Sequence, residues 1–478
     1  MSFAYQTAHE LTRMIAAREI SPVELTEDVL QRQEALEPDI NAFVTLTPEI
    51  ARAAAKQAEK AVMAEDRLGL LHGLPLSVKD LISMQGVPWT FGSKPFAENM
   101  GPVDAPAVAR ARAAGACIIG KSTTSEFGCK GTGDSPLSGV TRNPWNLDKT
   151  PGGSSAGAGA SVAAGLTPFA LGTDGGGSIR IPSSLCGLFG IKAQFSRVPL
   201  FPIPATPTLA HVGPLARTVR DAALLLTAIS GHDARDPFAV AGPVPDYLGA
   251  CGQTIEGMRI AWSPTFGYAR SDPEILRITE KAARSFEQLG CHVEEVEAPF
   301  GDEPLEIWRA EFYGGVGTKL KGLLTDSPEQ LDPGVVDMLS SALDQSIEDY
   351  FTKLFARYAF RETMREFFEG YDLLLSPVLP VAAFDTGLDV PPGWEDRDPV
   401  SWVYYTYPFN TTGQPAASIP AGFTKSGLPV GLQMAARINS ETDIFRAAAA
   451  FEEAFPWADK RPLLNASGAA RGDAGSSA

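Results

Sequence analysis

Residues 171–182, LGTDGGGSIRIP, join three consecutive glycines to Ser178. Glycine loses more conformational entropy on folding than other residues, so a triplet needs a structural reason. We interpret the stretch as a short strand followed by a loop that enters a helix. A helix N-terminus preceded by glycines directs several N–H donors at one point, as an oxyanion hole requires. A flexible turn or a phosphate cradle are the alternatives, although the stretch matches neither common phosphate-binding motif.

A nucleophilic serine needs a base to accept its proton. The chain has five histidines, and none stands where the Ser–Asp–His order of a hydrolase would place it. GSSAG at 153–157 matches G-x-S-x-G around Ser155, but it follows a turn-like stretch broken by proline instead of the strand that a nucleophile elbow needs. Lysine is the usual alternative base, and Lys79 in HGLPLSVKDLI is the best candidate.

Lys79 lies in a stretch that alternates as a strand does. Leu74, Leu76 and Val78 alternate with polar positions, so Ser77 and Lys79 are expected on one face. A lysine acts as a base only when burial or neighbouring cations lower its pKa from about 10.4. The other interpretation is a solvated lysine paired with the adjacent Asp80, and the local pattern leaves both open.

Composition restricts the class of partner. The chain has 478 residues, 44% hydrophobic and 20% charged, with 40 Lys and Arg against 57 Asp and Glu, giving a net charge of −17. Such a surface disfavours nucleic acid and anionic membranes. Five scattered cysteines indicate reduced thiols and no metal site, and no apolar run reaches the ~18 residues of a membrane span. Without an apolar leader at the N-terminus, a soluble cytoplasmic protein is expected.

The elements that must position these residues follow an α/β pattern. Helical periodicity dominates residues 6–33 and 48–65, and strands alternate with helices from about residue 70. This pattern predicts one large α/β domain with a central mixed sheet flanked by helices on both faces. The expected divisions are a helical N-terminal layer at 1–65, an α/β domain at 66–465 that includes a core segment at 150–192 and a largely helical segment at 303–370, and a disordered tail at 466–478.

Three motifs carry a resemblance to a known family. Lys79 in GLPLSVKD, Ser154 in PGGSSAG and Ser178 in LGTDGGGSIRIPSSLCGLFGIK resemble the amidase signature family, which uses the same 24-residue spacing between its two serines. Weaker matches follow in order over nearly the whole chain, namely SPVELTEDVL, GKSTTSEFG, HVGPLARTVRDAALLL, YDLLLSPVLP and TGQPAASIPAGF with GLPVGLQM.

The resemblance implies a Ser–cis-Ser–Lys triad. Neutral Lys79 would take a proton relayed through Ser154 from Ser178, which would attack an amide carbonyl and form an acyl-enzyme. The N–H groups that would hold the oxyanion, besides that of Ser178, are those of Gly175, Gly176 and Gly177. Relatives often carry a larger residue at the position of Gly175, which puts the rigidity of the loop in question. The supporting residues are Ser155, which would hydrogen-bond to the triad, and Asp174 and Arg180, interpreted as a structural ion pair.

The choice of amide rests on weaker signals. The sequence also resembles the glutaminase subunit of the tRNA-dependent amidotransferase, where an acidic residue holds the ammonium group of glutamine; the matching position is Val403, followed by Tyr404. An apolar pocket would not repay the desolvation of glutamine's charges. The stretch GCKGT at 128–132 resembles a segment that lines the acyl pocket in relatives. Its small glycines would either leave room for the acyl group of the substrate or serve only the turn. The candidate substrate-binding residues of this stretch are Gly128, Cys129, Gly131 and Thr132.

We therefore expect a stand-alone amidase, without cofactor, that acts on small hydrophobic or aryl amides and also on esters, anilides or carbamates. A glutaminase subunit of an amidotransferase and a binding or assembly subunit with a degenerate site are the alternatives. The sequence leaves a homodimer open as the assembly.

Overall fold

The strands and helices are those of a mixed α/β fold. The computed structural model describes residues 3–395, 397 and 399–464, so the tail at 466–478 lies outside the described residues. The strands are β1 Phe43–Leu46, β2 Pro75–Lys79, β3 Cys117–Ser122, β4 Asp134–Ser135, β5 Gly139–Val140, β6 Phe169–Asp174, β7 Phe189–Lys192, β8 His211–Ala216, β9 Arg259–Trp262, β10 His292–Glu295, β11 Leu373–Pro377, β12 Ala416–Phe423 and β13 Pro429–Ala436. The helices are α1 Ala8–Ala16, α2 Pro22–Ile40, α3 Pro48–Met63, α4 Pro106–Ala113, α5 Ala156–Ala163, α6 Arg180–Cys186, α7 Val219–Ile229, α8 Tyr247–Ala250, α9 Pro273–Gln288, α10 Leu305–Asp326, α11 Pro333–Leu343, α12 Ile347–Gly370, α13 Pro408–Thr412 and α14 Glu441–Ala454.

Within the described residues, eleven strands form one sheet in the order β1-β3-β2-β6-β8-β7-β12-β13-β11-β9-β10, and β4 and β5 form a separate ribbon. β2 lies between β3 and β6 and runs parallel to both. β6 pairs with β8 in the antiparallel direction, so the sheet is mixed. The carboxyl ends of β2 and β6 therefore meet at one edge of the sheet.

The hydrophobic core has two main parts, one on each face of the sheet. Leu373 and Leu375 of β11 belong to the larger cluster with helices α1, α4, α7 and α14, whereas Leu374 belongs to the cluster with α10, α11 and α12. Successive side chains of a strand point to opposite faces, so helices cover both sides of the sheet. The predicted single-domain α/β architecture is confirmed.

The N-terminal segment departs from the expected helical layer. The periodicity at 6–33 divides into α1 and α2, because Ser21 starts α2 with a reciprocal capping box. Asn41 then ends α2 in the left-handed conformation. The next residues form β1, which pairs with β3 in the antiparallel direction and adds a strand to the edge of the sheet.

The segment at 303–370 is helical, as the sequence predicts, and contains α10, α11 and α12. Asp332 caps α11, and its carboxylate also lies 2.6 Å from Lys130 Nζ, next to the ribbon of β4 and β5. This ion pair attaches the helical segment to the loop that follows β3. None of the helices in the described ranges is both long enough and apolar enough to cross a membrane.

Candidate active site

Lys79 ends β2 and is fully buried. Its Nζ lies 2.7 Å from Ser154 Oγ, 3.0 Å from Ser155 Oγ and 2.8 Å from Thr173 Oγ1. Burial lowers the pKa of Lys79 well below its ordinary value, and the charge of Asp174 opposes this shift only in part. The neutral amine is the form that this environment favours.

The alternative pairing of Lys79 with Asp80 is wrong. Asp80 turns away from Lys79 and accepts a hydrogen bond from Lys121 Nζ at 2.9 Å, with both side chains fully buried. Its other oxygen accepts from the backbone N–H of Thr90. Adjacent residues of an extended segment point to opposite faces, so Asp80 faces Lys121 and not Lys79.

Ser154 and Ser155 lie in the turn that leads into α5. The Gly153–Ser154 peptide bond is cis, as the family resemblance implies. Ser155 is the residue before α5, and its Oγ donates to the carbonyl of Thr173 at 3.1 Å. The N–H of Ser155 donates to the carbonyl of Ser178 at 3.3 Å, so the turn is joined to the glycine loop.

Ser178 follows the glycine triplet and precedes α6. It is 8% exposed, and together with Ser154 and Thr173 it borders a cavity of about 390 Å³. The structure therefore brings the predicted Lys79, Ser154 and Ser178 to one place, although they come from three separate segments of the chain.

Gly175 and Gly176 let aromatic side chains approach the loop closely. A Cβ at Gly175 would lie 2.6 Å from the ring of Phe312, and one at Gly176 would lie 2.7 Å from the ring of Trp308. Gly177 has a φ of 137°, which residues with a side chain rarely adopt. Trp308 Nε1 donates to the carbonyl of Gly175 at 2.8 Å. These contacts with α10 explain why a small residue stands at 175.

The amide of Gly177 is already used, which corrects one part of the predicted oxyanion hole. Its N–H donates to Asp174 Oδ1 at 2.8 Å and so does not point to the cavity as a free donor. The N–H groups of Gly175, Gly176 and Ser178 have no hydrogen-bond acceptor among the described residues. The donors left for an oxyanion are these three.

Asp174 and Arg180 form a buried ion pair that holds the loop. Arg180 Nη2 donates to Asp174 Oδ1 at 2.9 Å and Nε donates to Oδ2 at 3.0 Å, with both side chains fully buried. Arg180 Nη1 also donates to the carbonyl of Thr406 and to Gln433 Oε1. Burial alone would raise the pKa of Asp174, but the charge and hydrogen bonds of Arg180 hold it well below its ordinary value. Neither residue borders the cavity, so the structural role stays the interpretation of this pair.

His211 is the one histidine that borders the cavity among the described residues. Its Nδ1 lies 2.8 Å from the carbonyl of Leu209 and 3.2 Å from that of Asp174, and its Nε2 faces Lys192 Nζ at 3.4 Å. Burial lowers its pKa well below the ordinary value. In the described part of the chain it contacts neither Ser154 nor Ser178, so neither serine has a histidine as its base.

Most of the predicted substrate-binding residues lie behind the cavity. Gly128 borders it, and a Cβ there would lie 3.1 Å from Ser154 Oγ. The others do not border it: Gly131 is half-buried, and the fully packed ones are Cys129, Thr132, Val403 and Tyr404. Gly131 is the clearest case, because a Cβ on it would lie 2.7 Å from Trp402 and 3.4 Å from Val403. Apart from Gly128, the two predicted segments contact each other and not the cavity.

The walls of the cavity come from segments that the sequence did not single out. Four aromatic residues that form one wall are Trp89, Phe91, Phe96 and Phe127. The other walls come from the loop at 199–206 and from α10. The signals in the sequence are the aromatic run WTFGSKPF at 89–96 and the spacing of Phe312, Val316 and Leu320 on a helix, and either is equally typical of an ordinary core.

Comparison with known proteins agrees with this geometry. An amidase family model matches residues 24–445. The chain is similar to an acylamidase of Rhodococcus erythropolis, 37% identical over 468 residues that cover 95% of this chain and 97% of the relative. It is also similar to a subunit of the glutamyl-tRNA(Gln) amidotransferase of a Cyanothece species, 34% identical over 95% of this chain and 99% of the relative. A solved bacterial aryl acylamidase of the amidase signature enzymes family matches with a TM-score of 0.90 at 30% identity, covering 96% of this chain and 99% of its own.

The chain therefore belongs to the amidase signature family. It is a hydrolase of the amidase type.

Proposed function

We propose that this amidase hydrolyses hydrophobic or aryl carboxylic amides through an acyl-enzyme on Ser178, with Ser154 as the proton relay and neutral Lys79 as the general base. The observation that carries the proposal is the 2.7 Å contact between Lys79 Nζ and Ser154 Oγ. Among the described residues no carboxylate forms an ion pair with Lys79, so its burial favours the neutral amine that a base requires.

The hydroxyl groups around Lys79 support a relay with a defined direction. Ser155 Oγ donates to the carbonyl of Thr173 and can accept one N–H of Lys79, while Thr173 Oγ1 can accept the other. The lone pair of Lys79 is then left for the hydroxyl proton of Ser154. Ser154 is proposed to accept in turn the proton of Ser178, and both residues border the same cavity.

The reaction follows from that arrangement. Ser178 Oγ forms a bond to the amide carbonyl carbon while its proton moves to Ser154 and the proton of Ser154 moves to Lys79. When the C–N bond breaks, the proton returns along the same path to the departing amine. Water then attacks the acyl-enzyme by the same route and releases the acid. The N–H groups of Gly175, Gly176 and Ser178 are proposed to hold the oxyanion, each contributing about 3–4 kcal/mol.

The lining of the cavity favours an apolar amide over glutamine. Its walls are aromatic and aliphatic, and no Asp or Glu is among the described residues that border it. The ammonium group of glutamine would lose its hydration there without gaining a counter-ion. A glutaminase subunit remains the second candidate because of the similarity to the amidotransferase subunit.

The test uses the isolated protein with an aryl amide, with glutamine and with a fluorophosphonate label. We expect turnover of the aryl amide alone, and we expect Ser178→Ala to lose both this activity, by about 10⁴-fold or more, and the covalent label. Ser341→Ala changes an exposed serine of α11 and serves as the control, which keeps both. Labelling of Ser178→Ala at the wild-type rate would contradict the proposal. Glutamine turnover only with an added partner subunit would support the glutaminase, and a protein inert on every amide would support a degenerate binding subunit.

Assembly and location remain predictions. All five cysteines are free and buried, which is compatible with the expected cytoplasmic location. A homodimer stays open and is tested by the mass of the protein in solution.

A further inference from the structure

One face of α10 forms a side of the cavity. Phe312, Val316, Lys319 and Leu320 all border it, and their spacing places them on one face of the helix. Phe312 marks the inner end, since its ring packs against Gly175 of the glycine loop. Lys319 marks the outer end, seven residues later, which is on the order of 10 Å along the helix axis.

Lys319 is exceptional among the side chains around the cavity. It is the only one with a formal charge among the described residues that border it, because burial lowers the pKa of His211 and keeps that ring neutral. Lys319 is exposed, and none of the described carboxylates forms an ion pair with it. By contrast, Lys353 on α12 pairs with Glu306.

The sign of this charge is opposite to that of the molecule. The chain carries a net charge of −17, yet the one charged side chain among the described residues that border the cavity is a cation beside apolar walls. An apolar surface next to a charge strengthens its attraction for an opposite charge, because less water screens the pair. An anionic group is what this position would attract, and a cationic group is what it would repel.

We propose that Lys319 is a specificity-determining residue, and that the preferred substrates are amides with an apolar body and a carboxylate at the end remote from the scissile bond. The inference rests on the proposed amide hydrolysis and deepens it. The carboxylate belongs either to the acyl half or to the amine half of the substrate. In both cases it would form the same ion pair with Lys319.

The experiment compares matched substrates on the full-length protein. One series consists of anilides of dicarboxylic acids with increasing chain length, each paired with the neutral alkanoyl anilide. A second series consists of alkanoylaminobenzoates, each paired with the neutral methyl-substituted anilide. We expect the wild type to prefer the anionic member at an intermediate length, and added salt to reduce the preference.

Lys319→Met keeps the length of the side chain and removes the charge. We expect it to lower kcat/KM for the preferred anionic substrate by about three- to tenfold, mainly through KM, and to leave the neutral substrate unchanged. Lys319→Arg should retain the preference. Lys321→Met is the matched control, since Lys321 is an exposed lysine of the same helix that does not border the cavity and has the same effect on net charge.

A loss confined to the dicarboxylic series would support a carboxylate on the acyl half, and a loss confined to the benzoate series would support one on the amine half. No preference for either anionic series in the wild type, or equal effects of Lys319→Met and Lys321→Met, would overturn the inference. Neither result affects the proposed hydrolysis, which fails separately if Ser178→Ala retains activity on neutral anilides.

Discussion

At the scale of single residues, the chemistry depends on how Lys79 is buried. Its ammonium form would need a counter-ion, and the groups within hydrogen-bond distance are three hydroxyls. Ser77, on the same face of β2, contacts Ser161 of α5 and not the cavity. Two residues along the strand thus separate a structural serine pair from the proposed base.

We expect Lys79→Met to remove the proposed base and also to remove the unfavourable free energy of burying an amine that is protonated in the unfolded chain. The variant should lose about 10²–10⁴-fold in kcat on an aryl amide. The pKa of Lys79 is lowered in the folded state, so the unfolded chain binds the proton more tightly, and the free energy of unfolding of the wild type falls as pH falls below about 10.5.

The variant lacks this dependence, so its free energy of unfolding relative to the wild type should rise as pH falls. Urea unfolding at several pH values measures it. Activity near the wild-type level, or parallel pH dependence of stability in the two proteins, would show that Lys79 is not a neutral buried base.

At the scale of elements, the glycine loop and α10 form one unit. Trp308 and Phe312 occupy the space that side chains at Gly176 and Gly175 would need. α10 lies some 130 residues after the loop, and no local pattern relates the two. This is why the sequence predicted the loop, its serine and a helical segment at 303–370, but not that a helix of this segment packs against the loop.

We expect Gly175→Ala to displace the loop, because the added methyl group would lie 2.6 Å from Phe312. The variant should lose at least about tenfold in kcat with a smaller change in KM, since the proposed oxyanion donors would act in the transition state. Phe312→Ala in the same protein should restore part of the loss by making room. Gly322→Ala on α10 is the control, because its methyl group meets nothing within 4 Å, and it should leave kcat unchanged. A Gly175→Ala enzyme with normal kcat would show that the position of the glycine loop does not control the rate of the reaction.

At the scale of the whole molecule, the sheet assembles distant segments into one site. The sequence predicted the elements, the alternation of β2 and the three residues of the proposed catalytic centre, whose catalytic roles stay predictions. It did not predict the strand order, nor the turn of Asp80 toward Lys121, because both depend on contacts between remote strands. The cavity walls were missed for the same reason, and the segments at 129–132 and 403–404 were placed there although they pack into the core.

Arg180 connects the glycine loop to remote parts of the chain, and we expect Arg180→Met to destabilise the whole fold. Its guanidinium joins Asp174 to Thr406 and Gln433, so removing it leaves a buried carboxylate without its ion-pair partner. Breaking such a pair costs about 3–5 kcal/mol, measured as the free energy of unfolding in urea. Arg13→Met breaks an exposed pair with Glu19 and should leave stability nearly unchanged. Equal stability of the two variants would show that the Asp174–Arg180 pair does not hold the loop.

The most direct test of the account is to identify the acylated residue. The protein is mixed with a slowly hydrolysed aryl ester or anilide, quenched with acid during turnover, digested and analysed by mass spectrometry. We predict that the mass of the acyl group lies on Ser178 and that Lys79→Met accumulates far less of it in the same time. An acyl group on Ser154 or on any other residue, or steady turnover with no acylated peptide, would contradict Ser178 as the nucleophile.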